Sequence, residues 1–304
     1  MGIKWFVIVN PTSGNGASKK KWPLIFKELV NQNFDFDFKI TNYKTHAIEI
    51  LHNALNKGYK NFISVGGDGT LHTIVNGILS SGYKNISEIT IGIIPIGTGN
   101  DWVKTYNISK DYKKAIEIIK HKKTIYQDIG KLELTETNEI IYFNNLAGIG
   151  FDGYVVNKVH KFKNLGFLAY LIGAIVSLTS YKKTFLEIYF NNNVIKDKTL
   201  MVLIGLCKYS GGGMQLTKDP DSTDGLFDIS IIYKVNIIDI LSNLSSLFNG
   251  KITNNKLVNN YKTDLIKVNV LDKENTYIQA DGELVKTSNF NVSILKNALN
   301  FIIN

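Results

Sequence analysis

The chain has 304 residues, 44% hydrophobic and 20% charged, a balance that excludes a disordered or fibrous protein and suits one large or two ordinary globular domains. Its net charge of +9 comes from scattered lysines, without a long basic tail or an Arg-rich helix. That argues against nucleic acid and leaves phosphorylated substrates or an anionic membrane surface as partners. The single cysteine, Cys207, excludes an internal disulfide. With a strand-like run already beginning at Ile3 and no signal peptide expected, it points to the cytoplasm, with peripheral contact at the inner membrane face left open.

Residues 3–9 are apolar, short and β-branched, the pattern of a buried strand. Asn10-Pro11-Thr12-Ser13-Gly14-Asn15-Gly16 follows as a turn. Ser18 to Val30 then sets Trp22, Ile25, Phe26, Leu29 and Val30 at helical spacing. Phe34–Ile40 reads as a strand, and Ala47–Leu55 as a helix with Ile48, Leu51 and Leu55 on one face. The run Phe62–Val65 leads into Gly66-Gly67-Asp68-Gly69-Thr70-Leu71, and a helix continues to Leu79. Ile89–Ile94 is a further buried strand, ending in Pro95-Ile96-Gly97-Thr98-Gly99-Asn100-Asp101 and a short helix. Strands alternating with helices predict βαβ units and a parallel sheet, which brings the three glycine-rich loops to one carboxyl edge. There the loop N–H groups can face an anion at a helix N-terminus. Asp68 does not suit direct contact with a phosphate; a bridging Mg²⁺ gives the carboxylate a role. The local alternative is a tight βα turn with a capping aspartate.

After Asp111–His121 strands dominate: Ile125–Glu133, Glu139–Leu146, Thr184–Phe190, Leu200–Leu206, Leu226–Tyr233, Ile266–Leu271, Tyr277–Ala280 and Phe290–Leu295. These predict a β-rich sandwich or flattened barrel, with helical insertions at roughly 153–182 and 236–249 and an Asn-rich loop at Ile252–Asn260. The expected domains are 1–127 and 128–304, with the C-terminal residues free to pack back on the first. Leu165–Ser180 is uncharged over 16 residues, short of the roughly 20 needed to span a bilayer. A buried or lipid-groove helix is expected there. Lys158, Lys161, Lys163, Lys182 and Lys183 around it suit a membrane surface or plain solvation of helix ends. Phe185–Phe190 is expected as an edge strand on which two chains could pair as a homodimer.

No P-loop, protein-kinase signature, zinc-type histidine spacing or Gly-x-Ser-x-Gly elbow is present. The Gly-x-Gly-x-x-Gly at Gly148–Gly153 lacks the acid about 20 residues on that a dinucleotide fold wants. Carboxylates remain. Asp68 and Asp101 lie on the loops, and Asp128 opens Asp128-Ile129-Gly130. Asp281-Gly282-Glu283 sits between two apolar runs, where i and i+2 positions of a strand share a face. Either acid can then accept a hydroxyl proton, although Asp-Gly equally signals an exposed hairpin turn. Asp219–Gly225 is a hard-oxygen loop, read as a divalent-ion site or as a plain turn.

Asn10-Pro11…Ser13-Gly14, Gly66-Gly67-Asp68-Gly69-Thr70, Gly97-Thr98-Gly99-Asn100-Asp101, Asp128-Ile129-Gly130, Gly148-Ile149-Gly150-Phe151-Asp152, Asp224-Gly225 and Asp281-Gly282-Glu283 occur in this order. Over nearly the whole chain this resembles the diacylglycerol kinase/sphingosine kinase superfamily, most nearly its bacterial lipid kinases. The resemblance implies an N-terminal α/β domain, a C-terminal β-rich domain, and ATP with Mg²⁺ in the cleft between them. It implies nucleotide binding by Asn10, Pro11, Thr12, Ser13, Gly14, Thr41, Gly66, Gly67, Asp68, Gly69, Thr70, Leu71 and Thr98, with Gly97, Gly99 and Asn100 beside them. It also implies a catalytic Mg²⁺ organised by Asp68, Asp101 and Asp128, and Asp281 or Glu283 as the base. Asp221, Asp224 and the Leu226 carbonyl would form a structural metal site. Asn15 stands where a basic residue often follows Ser-Gly, with Lys19 and Lys20 a turn later. The expected activity is ATP-dependent phosphorylation of a lipid hydroxyl. The alternatives are an NAD kinase, which shares the Gly-Gly-Asp-Gly motif, and a non-catalytic nucleotide or lipid sensor.

Overall fold

The computed structural model describes residues 3–159, 167–274 and 276–304. The chain divides into two compact units, Met1–Gln127 with Lys296–Asn304, and Asp128–Leu295.

The first unit is α/β. Strands β1 (Lys4–Val9), β2 (Asp35–Ile40), β3 (Asn61–Gly66) and β4 (Thr90–Pro95) pair in parallel in the order β2-β1-β3-β4. The register sets Val9 beside Val65 and Gly66 beside Pro95, so the chain leaves β1, β3 and β4 at one edge. The helices are α1 (Ala17–Asn31), α2 (His46–Asn56), α3 (Asp68–Ser80), α4 (Asp101–Thr105) and α5 (Tyr112–His121). Helix α1 buries Trp22, Ile25 and Leu29, as its spacing predicts. Phe26 and Val30, expected on the same face, are 37% and 50% exposed. Helix α1 covers the margin of the sheet, where the Phe26 ring meets Phe36 and Phe38 of the exposed strand β2 edge-on. The last strand, β16 (Phe290–Ile302), adds its end to this unit: Asn300 and Phe301 pair in parallel with Thr90 and Ile91.

The second unit is a β-rich sandwich. Strands β5 (Thr124–Leu134) and β6 (Ile140–Phe143) form an antiparallel pair. Then come β7 (Leu146–Gly150), α6 (Phe151–Val159), α7 (Phe167–Leu178), β8 (Thr184–Phe190), β9 (Asn193–Thr199), β10 (Met201–Gly205) and β11 (Phe227–Ile232). Helices α8 (Ile237–Ser242) and α9 (Leu244–Asn249) precede β12 (Val258–Thr263), β13 (Leu265–Val270), β14 (Ile278–Ala280) and β15 (Glu283–Val285). One six-stranded sheet runs β12-β11-β10-β7-β14-β15. In the other layer β13 pairs with β8 on one side and with the first residues of β16 on the other.

Three expectations are corrected. Phe185–Phe190 is no edge, because β9 pairs along its whole length and β13 covers its other side. The expected loop Ile252–Asn260 contains a short 3₁₀ turn, Lys251–Asn254, and the start of β12; pairing with β11 outweighs the weak strand propensity of its asparagines. The expected strand Glu139–Leu146 is two strands broken at Asn144 and Asn145. Of the apolar stretch Leu165–Ser180, the part from Phe167 to Leu178 is helix; Leu165, Gly166, Lys161 and Lys163 lie outside the described residues. Among the described residues no helix is long and apolar enough to cross a membrane.

Candidate functional site

The loops after β1 and β3 meet through Thr70, which is 4% exposed. Its Oγ1 accepts a hydrogen bond from Asn10 Nδ2 at 3.0 Å and lies 3.2 Å from Ser13 Oγ. Asn10 Oδ1 accepts from the N–H and the hydroxyl of Thr12. Gly66 is required here: a Cβ would stand 2.3 Å from Thr70 Oγ1. The β3 and β4 loops touch backbone to backbone, since a Cβ on Gly97 would be 3.0 Å from Gly67 Cα. Helix α3 starts at Asp68 without a side-chain cap, and so does α1 after Gly16. Two helix N-termini with their dipoles therefore face the same edge as the loops. Thr98 is exposed on the β4 loop, whereas the Leu71 side chain is 2% exposed and belongs to the core; only its backbone is available to a ligand.

Beside these loops lies a cavity of about 590 Å³ lined by Pro11, Thr12, Asn15, Gly16, Lys19 and Thr41, among others. Thr41 is fixed there by its N–H bond to the Val9 carbonyl, 2.9 Å. Lys19 is thus the cation of the early basic cluster that faces the cavity.

Asp68 has a structural task besides any ligand. Its Oδ2 accepts from the Asp101 N–H at 3.1 Å and its Oδ1 from the Trp102 N–H at 3.3 Å, so it caps α4 rather than its own helix. Trp102 is anchored in turn by the buried Gln127, whose Oε1 accepts from the indole N–H at 2.8 Å and from the Tyr106 hydroxyl at 2.9 Å. Asp101 accepts from Lys104 Nζ at 2.8 Å. The two carboxylates share the space over Gly99, where a Cβ would lie 3.1 Å from Asp68 Oδ2 and 3.7 Å from Asp101 Oδ2. Two hard oxygens over a bare backbone suit a Mg²⁺ ion.

Asp128, expected beside them, is fully buried in the second unit. Its Oδ2 accepts from the Gly225 N–H at 2.7 Å and its own N–H donates to Ser222 O, which anchors the loop at 222–225. In that loop Asp221 Oδ1 accepts from the N–H and hydroxyl of Thr223. Asp224 Oδ1 accepts from the Leu226 N–H, and Asp224 Oδ2 is paired with Lys262 Nζ at 2.9 Å. At the expected structural metal site, the Lys262 ammonium is thus the cation beside Asp224.

Asp281 and Glu283 do not share a strand face. Asp281, at φ 50°, and Gly282, at φ 82°, form the tight turn between β14 and β15, and only Glu283 belongs to a strand. Asp281 accepts from the N–H groups of Asn144, Asn145 and Leu146 at 3.0, 3.0 and 3.1 Å, which ties the turn to the break between β6 and β7.

Residues 4–132 match the diacylglycerol kinase catalytic domain, and residues 145–303 match the YegS C-terminal NAD kinase beta sandwich-like domain. The chain belongs to the diacylglycerol-kinase-like lipid kinases. The YtlR protein of Bacillus subtilis (strain 168) is 28% identical over 95% of this chain and 96% of its own length. A diacylglycerol kinase of the same strain is 27% identical over 91% of this chain and 88% of its own. The crystal structure of a diacylglycerol kinase from Bacillus anthracis str. Sterne superposes with a TM-score of 0.75 at 21% identity, covering 99% of this chain and 97% of the other, which shows the shared fold. Gly148–Gly153, which matched a dinucleotide fingerprint in outline, joins a strand to a helix as such a fingerprint does. Its strand β7, however, has antiparallel neighbours β10 and β14. What sequence reasoning did not find were Gln127 and Gln279, buried amides with no motif to mark them.

Proposed function

We propose that this lipid kinase transfers the γ-phosphoryl group of ATP to the hydroxyl of diacylglycerol or a related amphipathic alcohol. The meeting of the β1 and β3 loops at Thr70, with the β4 loop packed on Gly67 and two uncapped helix N-termini beside them, is the observation that supports nucleotide binding. The diacylglycerol kinase match over residues 4–132 favours the lipid over NAD as acceptor. Asn10–Gly14, Thr41, Gly66–Leu71 and Gly97–Asn100 hold the nucleotide, with Lys19 as the nearby cation. Asp68 and Asp101 would hold Mg²⁺, which when bound neutralises charge on the transferred phosphoryl group. Glu283 takes the proton from the lipid hydroxyl. Asp281 serves instead as an anchor, its two oxygens accepting three backbone N–H groups. Most of the rate then comes from positioning and electrostatics.

The substrate lies in a membrane, so the enzyme needs a face that meets one. Helices α7 and α8 expose Ile172, Val176 and Ile238 at 60%, 62% and 76%, with Lys158, Lys182 and Lys183 exposed nearby in the chain. Apolar side chains beside ammonium groups match an anionic bilayer surface.

The deciding measurement is ADP formation by the purified chain with Mg²⁺-ATP and, separately, diacylglycerol vesicles, sphingoid-base vesicles and NAD. Turnover with diacylglycerol vesicles and none with NAD is expected. Turnover with NAD alone would replace the lipid reading, and nucleotide binding without turnover on any acceptor would make the chain a sensor. Glu283→Gln and Asp281→Asn, assayed separately, decide the base: the first is expected to lower turnover about a hundredfold or more with the fold retained.

A further inference from the structure

Asp152 stands in the first turn of α6, just after β7, and none of the chemistry above uses it. Its carboxylate lies against the β7 backbone, where a Cβ on Gly148 would fall 2.3 Å from Oδ2. Burial pushes its carboxyl up to about 6, and a hydrogen bond from Gln279 opposes that rise. The bond runs from Gln279 Nε2 to Asp152 Oδ2. At its other end, Gln279 Oε1 accepts the Gly282 N–H at 2.7 Å. Gln279 is 3% exposed, so both ends of this amide are satisfied inside the protein. A carboxylate on one side and a backbone N–H on the other also fix which way the amide points.

Gly282 is the residue before Glu283, in a turn whose two residues both have positive φ. The turn is therefore held from two directions. Asp281 ties it to residues 144–146, and Gln279 ties it to Asp152. We propose that Asp152 and Gln279 are positioning residues for Glu283: the hydrogen-bonded chain Asp152–Gln279–Gly282 sets the backbone from which the proton acceptor projects. This rests on the reading of Glu283 as the base. Gln279 acts through the Gly282 N–H, without contact with the reacting atoms. It is required as an amide, since glutamate would set two carboxylates against each other and an apolar side chain would leave the Gly282 N–H without its acceptor.

The test is steady-state kinetics on diacylglycerol vesicles for Gln279→Leu, Asp152→Asn, Asp152→Ala, Glu283→Gln and the double variant Gln279→Leu/Glu283→Gln, with thermal melts as the folding control. Gln279→Leu is expected to lower kcat about tenfold or more, the size of one lost hydrogen bond to a positioned group, with KM for ATP unchanged. Asp152→Asn keeps an acceptor oxygen for Gln279 and is expected to stay within about threefold of the parent, whereas Asp152→Ala falls with Gln279→Leu. In the Glu283→Gln background, Gln279→Leu is expected to add nothing to the loss. An unchanged kcat in Gln279→Leu, or full additivity in the double variant, overturns the proposal while the base assignment stands. Loss of activity in Asp152→Asn as complete as in Asp152→Ala also overturns it, because Asp152 would then act by its own charge. Parent-like turnover by Glu283→Gln overturns both readings. If Gln279→Leu does not fold, the Asp152→Asn and Asp152→Ala pair decides on the same outcomes.

Discussion

Asp68 combines two demands on one carboxylate. It caps α4 through two backbone N–H groups and it faces Gly99 together with Asp101. Asp68→Ala is therefore expected to abolish ADP formation and also to lower stability by about 1 kcal/mol, the usual loss on removing a helix cap. Asp68→Asn, which keeps one acceptor, should recover part of the stability and none of the turnover. Parent-like turnover in either variant would end the metal-binding role. Asp228 carries a pH signature. It is 3% exposed, and burial pushes its carboxyl up to about 6 against the opposing pull of Lys262, whose ammonium is 3.5 Å away. A carboxyl raised above its unfolded value favours the folded state when protonated. That stability is fully present below about 3.8 and is lost as pH rises through about 6. Asp228→Asn removes the titration, so its melting temperature should gain on the parent's from pH 4 to pH 7.5. Asp152 titrates in the same direction in both proteins and cancels. A gap that does not move with pH would show that Asp228 stays charged throughout. Asp68 stood out in the sequence because a carboxylate between glycines, after a strand, has few uses, but its cap on the N–H groups of Asp101 and Trp102 was not legible there. Gln127 and Gln279 were not legible, because a buried amide takes its importance from partners 21 to 25 and 127 residues away.

At the scale of elements, apolar runs and glycine turns located β1, β3, β4 and their loops, since a strand buried on both faces is marked by its composition. Strand β9 was missed for the converse reason: Asn193–Thr199 is largely polar and exposed, and only its pairing with β8 makes it a strand. Gly66 shows how closely the elements depend on single atoms. Gly66→Ala is expected to push Thr70 off its place and disorder the contact between the β1 and β3 loops. Nucleotide affinity measured by titration calorimetry should fall at least tenfold, as expected for losing about 1.4 kcal/mol or more. Unchanged affinity would separate Thr70 from the nucleotide site. Helix α7 offers a different test. Ile172→Asp with Val176→Asp places two charges on its exposed face. Sedimentation with anionic vesicles should drop sharply while ATP affinity stays at the parent value; undiminished vesicle binding would move the membrane face elsewhere.

For the molecule as a whole, the first unit is not continuous in sequence. Its sheet includes Asn300 and Phe301, and Phe301 is fully buried with its ring 4.9 Å from Trp102. A fragment ending at Gln127 lacks that strand and exposes Trp102, and circular dichroism is expected to show no cooperative melt for it. Removing Leu299–Ile302 from the full chain should do comparable damage, since Leu299, Phe301 and Ile302 are all at most 1% exposed.

This discontinuity also orders events during synthesis. The glycine loops leave the ribosome early with the strands that align them, whereas the strand that covers the β4 edge and Trp102 follows only with residues near 301. Until then a nascent chain carries the loops on a sheet whose β4 edge is unpaired and whose Trp102 lacks its Phe301 neighbour.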